Sequence, residues 1–279
     1  MNLKLFCSLA ILCIIYTPCV LFAQKLPNKQ KNSVWLPLRS KIDGKAMEWN
    51  NQFQAYNHAT ELFFTMANDE KNLYLIIYTT DAPSIFNKIM TGGLTLLVDN
   101  SKQQLSITYP FFSKKNRPAF KRKMKGDDDG LSNFLKQKLN DSLMLYNNAV
   151  FAAKAKEMLV HKSNRIDSIV SIYNEDHIKV AGLFDVKQGY AFELCVPFKY
   201  LGLTENTTGK FKYKISINGE ANRFNPNAPS IKSGTRPDGT PMLQADLQRL
   251  NNIVIAGNMA RYATVDFSGE YLLAKKPKY

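Results

Sequence analysis

Apolar and polar residues alternate in short runs along most of this chain, and the runs come in pairs. Residues 60–66 and 72–78 are rich in aromatic and branched side chains, and they flank the turn-forming pentamer Ala67-Asn68-Asp69-Glu70-Lys71. Two such runs with a short polar joint predict a β-hairpin. Residues 94–99 and 104–109, joined at Asn100-Ser101-Lys102, predict a second, with Gly92-Gly93 marking its approach. Further strands are predicted at 168–173, 178–184, 190–196 and 210–218, and a last one at 260–267. Between them the period changes. Leu131, Phe134, Leu135, Leu139, Leu143 and Tyr146 recur with helical spacing. Ala152, Ala155 and Leu159 suit one face of a second helix over 151–159. Residues 223–240, rich in proline and glycine, read as a long irregular loop.

Many short strands paired by tight turns predict an all-β fold, an antiparallel β-sandwich, rather than a βαβ sheet. The helical part, 131–160, then reads as an insertion packed on an edge or end. Within the strand 190–196, Tyr190, Phe192, Leu194 and Val196 alternate onto a core face, which puts Glu193 and Cys195 on the other.

The first 23 residues do not belong to this pattern. A start charged at Lys4, an apolar run over 5–16, a break at Thr17-Pro18 and a small residue at Ala23 are the parts of a secretory signal peptide. The expected organisation is a signal at 1–23, a polar, lysine-rich flexible leader at 24–33 and one sandwich domain at 34–279. Export to the periplasm or the exterior follows. No later apolar stretch reaches spanning length, so no transmembrane span is expected after cleavage. Cys7, Cys13 and Cys19 leave with the signal, and Cys195 alone stays, so the mature chain has no internal disulfide. Lipidation at Cys19 is disfavoured, because Tyr16-Thr17-Pro18 lacks the small residue expected before a lipidated cysteine.

Charge narrows the partners. The chain carries a formal +14, and loss of Lys4 leaves +13. That balance favours anionic partners such as acidic glycans or lipid headgroups. Outside the cytoplasm, nucleic acid is not an expected partner. Seven basic residues fall within 114–125, with Phe111, Phe112 and Phe120 interleaved. This run reads either as a patch for acidic groups or as a solvated loop.

Catalytic chemistry is not visible. His58, His161 and His177 show no metal-ligand spacing, and neither a G-x-S-x-G elbow nor a glycine-rich phosphate loop occurs. Asp127-Asp128-Asp129-Gly130 fails the alternation of a calcium loop, so Asp129 or Ser132 reads as a helix start. Cys195 has apolar neighbours and no nearby histidine, the setting of an inert thiol. Met66 and His177 have no motif that would pair them on haem. No catalytic residue, metal site or cofactor is assigned.

One stretch carries a family resemblance. Ile42-Asp43-Gly44 followed by Trp49, then Asn68-Asp69 with Asn72-Leu73-Tyr74-Leu75, then Gly93-Leu94-Thr95-Leu96 with Asp99, resembles the opening of family 9 carbohydrate-binding modules. It is also similar to related sandwich domains of secreted Bacteroidetes proteins. Phe192-Glu193-Leu194-Cys195-Val196-Pro197-Phe198 with Leu201-Gly202 resembles a later strand of the same group. The resemblance implies a sandwich that binds, often a saccharide, and does not cleave. Modules of that family commonly grip sugars with tryptophans in late loops. Here the only tryptophans, Trp35 and Trp49, lie early, and Trp49 reads as a core anchor. The candidate ligand contacts are therefore Tyr56 and His58, with Arg223, Phe224 and Arg236 in the late loop. Two functions follow: a non-catalytic module that binds a polysaccharide or acidic glycan at the cell envelope, or an envelope domain that binds another protein and no sugar.

Overall fold

The computed structural model describes residues 26–46, 49, 53–80, 83–123, 126–127, 129–162, 168–220 and 231–278. The segment expected as a signal, together with Arg223 and Phe224, lies outside them.

Among the described residues eleven strands form two antiparallel sheets packed face to face. The first sheet has the order β1-β2-β3-β9-β8, with β1 at Ala55–Asn57, β2 at Leu62–Asn68, β3 at Asn72–Thr79, β8 at Lys179–Phe184 and β9 at Tyr190–Pro197. The second has the order β11-β10-β4-β5-β6-β7. Its members are β4 (Leu94–Asp99), β5 (Gln104–Tyr109), β6 (Glu157–Lys162), β7 (Ser168–Ser171), β10 (Phe211–Ile217) and β11 (Val265–Tyr271). The all-β sandwich expected from the sequence is thus the observed architecture. Both expected hairpins form: Phe63 pairs with Tyr78 across β2 and β3, and Val98 with Leu105 across β4 and β5.

One core lies between the sheets. Leu62, Phe64 and Met66 of β2 meet Leu96 and Val98 of β4 and Tyr213 and Ile215 of β10 there. Phe192, Leu194 and Val196 join it from β9, as their alternation required. Met66 is wholly buried here while His177 is exposed.

Among the described residues three α-helices accompany the sheets: α1 at Pro83–Gly92, α2 at Asn133–Lys154 and α3 at Gln244–Tyr262. The expected insertion is α2. Ser132 caps it by accepting from the Leu135 N–H, so Ser132 rather than Asp129 starts the helix. Phe151 of α2 is buried, and the helix is held to the rest of the fold by two adjacent amides. Asn148 accepts from Phe184 N at 2.8 Å and donates to Phe184 O at 2.9 Å, closing the edge strand β8. Asn147 does the same to Lys121, at 2.9 and 2.8 Å.

Four expectations need correction. The second helix expected over 151–159 is instead the end of α2 and the start of strand β6. The chain turns at Ala155, and Met158 and Val160 alternate into the core. The last strand starts later than expected, because α3 runs to Tyr262. Helix α1 was not expected at all. The described part of the supposed flexible leader is pinned: Gln30 is buried and exchanges bonds with the Met66 backbone, accepting from N at 2.6 Å and donating to O at 2.8 Å. It takes the place of a neighbouring strand where β1 ends.

Candidate functional site

The outer face of the first sheet carries the features most suited to a ligand. It holds the side chains that β1, β2, β3 and β9 turn away from the core, among them Tyr56, Phe63, Tyr78 and Glu193. Half of this face is closed by the N-terminal segment. Trp49, Ala67, Tyr74, Ile76 and Cys195 form a second small core there, with Val34, Leu36, Ile42 and Phe53 packed against it.

A single carboxylate anchors that cover. Glu193 is fully buried. Its Oε1 accepts from Trp49 Nε1 at 2.9 Å, and its Oε2 accepts from the backbone N–H groups of Asp43 at 2.9 Å and Gly44 at 2.7 Å. Gly44 adopts φ +83°, and an added Cβ would meet the Gly182 backbone at 2.9 Å, so only glycine fits. Trp49 is therefore the anchor its position suggested and no ligand platform. Burial pushes the Glu193 carboxyl up to about 6, against the pull of its three donors.

Beyond this cover the face shows a strip of aromatic rings. Tyr56 pairs in register with Phe63, and Phe63 with Tyr78, so one row crosses β1, β2 and β3. The Tyr56 and Phe63 centroids are 4.5 Å apart, and those of Phe63 and Tyr78 are 6.3 Å apart. Phe53 stacks on Tyr78 at 6.0 Å, and His58 meets the Tyr56 edge at 4.9 Å. The four carbocyclic rings are half-buried and His58 is exposed. Three adjacent strands spread the row over about 10 Å.

A carboxylate borders the strip. Tyr78 donates its hydroxyl to Asp185 Oδ2 at 2.8 Å. Burial, then Asp185, pushes the Tyr78 phenol far up, so it stays a protonated donor. Asp185 Oδ1 meanwhile accepts from Lys187 N and Gly189 N, both at 2.8 Å, fixing the turn between β8 and β9. Gly189 lets the Tyr78 ring pass: a Cβ there would meet the hydroxyl at 2.3 Å and Cζ at 2.7 Å.

Of the candidate contacts, the structure brings Tyr56 and His58 together on this strip. Arg236 sits elsewhere, tied to Asp246 at the start of α3 with a 2.6 Å contact. Arg223 and Phe224 are outside the described residues. The sequence reading missed Phe53, Phe63, Tyr78 and Asp185. Their signal was present, since Phe63 and Tyr78 occupy the positions that alternation turns away from the core.

Part of the basic run 114–125 is built into the fold. Phe112 is buried and Phe120 packs on the core. Arg117 is ion-paired with Glu220. Lys121 lies 4.2 Å over the Tyr146 ring, and Arg122 lies 4.5 Å over Phe86.

Nucleophilic chemistry finds no support at Cys195. The thiol is buried, and burial pushes it up to about 11, so it is protonated near neutrality. Among the described residues no cluster of three His, Cys, Asp or Glu is placed to hold a metal ion. No helix among them is long and apolar enough to cross a membrane.

No family model matches the chain, and no curated protein does. A solved family 9 carbohydrate-binding module from Caldicellulosiruptor kristjanssonii, in complex with glucose, aligns over 67% of this chain and 78% of its own, at 11% identity and a TM-score of 0.26. A likeness of that size decides nothing about the ligand, and the sandwich stands on its own strand pairing.

Proposed function

We propose that this protein is an exported, non-catalytic binding module that recognises a glycan at the cell envelope through the aromatic strip on its first sheet. The observation that carries the reading is the row Tyr56–Phe63–Tyr78, extended by Phe53 and His58. Pyranose rings present apolar C–H faces that settle on aromatic rings, while their hydroxyls need acceptors at the rim. Asp185 and the His58 imidazole supply the rim. A strip lying across strands is held by the sheet itself, so binding orders little of the protein. Export follows from the signal-like first 23 residues and suits an envelope glycan.

The second reading is an envelope domain that docks a protein and no sugar. It is favoured by the apolar side chains that α2 and α3 leave exposed, among them Phe134, Leu145 and Ile253. A glycan array of neutral and acidic oligosaccharides probed with the mature chain separates the two. Binding to at least one glycan class, abolished by Phe63→Ala, is expected. Silence across the array, with a stable envelope protein recovered by pull-down, would replace the first reading with the second.

A further inference from the structure

Two hollows adjoin at the end of the sandwich formed by the β2–β3 turn. One, of about 620 Å³, is lined by Trp35, Asp69, Asn206 and Thr208. The other, of about 540 Å³, is lined by Lys71, His177, Lys179 and Lys199 around Tyr74. They share Glu70, Phe198 and Glu205, so they form one groove. We propose that this groove is a second binding site, separate from the aromatic strip, and that it takes an acidic oligosaccharide, with a sugar ring on Trp35 and a carboxylate or sulfate over the lysines.

Trp35 is placed for stacking and is not used by the core. It stays half-exposed, whereas Trp49 is 5% exposed. Its backbone is fixed by a parallel bridge to Asn68, and Leu36 N donates to Asn68 O at 2.9 Å. Asn68 is buried and also clamps the far wall, accepting from Ala274 N at 2.7 Å and donating to Ala274 O at 3.0 Å. The indole therefore faces a groove whose walls are already set.

The other half of the groove is cationic. Lys71, Lys179 and Lys199 are all exposed, and among the described residues none of the three is ion-paired. Two carboxylates, Glu70 and Glu205, line the same hollow, and Glu70 is already held by Lys276 at 2.7 Å. A neutral chain would leave this cluster of charge without a partner, whereas an anionic one complements it. The +14 charge of the chain favours polyanions in general. A single-stranded nucleic acid fits less well. Such strands are held by several stacking rings in succession, and the groove offers one indole, Trp35.

The two tryptophans make the test direct, because Trp49 is buried and Trp35 alone reports on the groove. Tryptophan emission of the mature chain is followed during titration with heparin-derived and polygalacturonate hexasaccharides, with cellohexaose and an oligo-dT strand alongside. An acidic hexasaccharide should shift the emission, with affinity that falls severalfold between about 50 and about 500 mM salt. By calorimetry, Lys71→Ala with Lys179→Ala should weaken the same ligand about tenfold, while Phe63→Ala in the strip leaves it unchanged. Emission that responds equally to cellohexaose, binds oligo-dT more tightly, or ignores both acidic hexasaccharides would overturn the proposal. Loss of strip binding in Phe63→Ala alone would leave it standing.

Discussion

Trp49 and Glu193, 144 positions apart in sequence, meet through a 2.9 Å hydrogen bond from the indole N–H to Oε1. That contact closes the N-terminal segment over one half of the outer sheet face and leaves the aromatic strip open on the other half. Glu193→Gln keeps the shape but turns an amide NH₂ toward one of the three donors. The expected cost is about 1–3 kcal/mol, the penalty of a buried donor without an acceptor. Urea unfolding of the two proteins at pH 4.5 measures it, and equal stabilities there would show that the Glu193 side chain is not holding the cover.

The same carboxyl gives stability a pH dependence of unusual sign. Its folded value is raised to about 6 from an ordinary 4.5, chiefly by burial. The folded state thus keeps this proton where the unfolded state has lost it. The contribution is fully present below about 4.5 and is lost as pH rises through about 6, on the order of 2 kcal/mol in all. The stability difference between wild type and Glu193→Gln should therefore shrink from pH 4.5 to pH 6.5. A difference that grows over that range contradicts the assignment.

Asn148 closes the open side of β8 by taking both backbone groups of Phe184. Asn148→Leu leaves those groups at an uncovered sheet edge. A loss of about 1–3 kcal/mol is expected, with light scattering rising near the unfolding midpoint as edges pair between molecules. Unchanged stability and scattering would mean that α2 packing alone protects the edge.

Gly189 and Tyr78 occupy one space. In Gly189→Ala the new methyl stands where the Tyr78 ring end now lies, so the ring must swing from Asp185 and out of line with Phe63. Glycan binding should fall about tenfold, about 1.4 kcal/mol, with the fold kept by circular dichroism. Full binding in a folded variant would exclude Tyr78 from the ligand face.

Cys195 should resist alkylation in the native protein. Its thiol is buried and pushed up to about 11, so at pH 8 iodoacetamide should label it only at the rate of unfolding. Rapid native labelling would show that the cover over β9 opens readily.

The sandwich was legible because its strands alternate cleanly. The pairs 94–99 with 104–109 and 62–68 with 72–79 need only period two and a turn between them. The Glu193 side of β9 was legible for the same reason. Helix α3 was not, since its apolar residues fall on all sides and Ile253, Val254 and Ile255 stay exposed. Helix α1 left a usable sign in Ile85-Phe86 and Ile89-Met90 after Pro83, a helical spacing with proline in the first turn. The strip was half legible. Tyr56 and His58 were singled out, but their companions come from strands whose register only pairing fixes. The groove at Trp35 joins residues from 35 to 276, a closeness that no local pattern encodes.

The central claim is that a glycan lies across Tyr56, Phe63 and Tyr78. Affinity electrophoresis of wild type and Phe63→Ala through gels containing neutral or acidic polysaccharides tests it most directly. Retardation of the wild type by at least one neutral polysaccharide, and free migration of a folded Phe63→Ala in the same gel, is the predicted result. Equal mobility of the two proteins in every gel would contradict it.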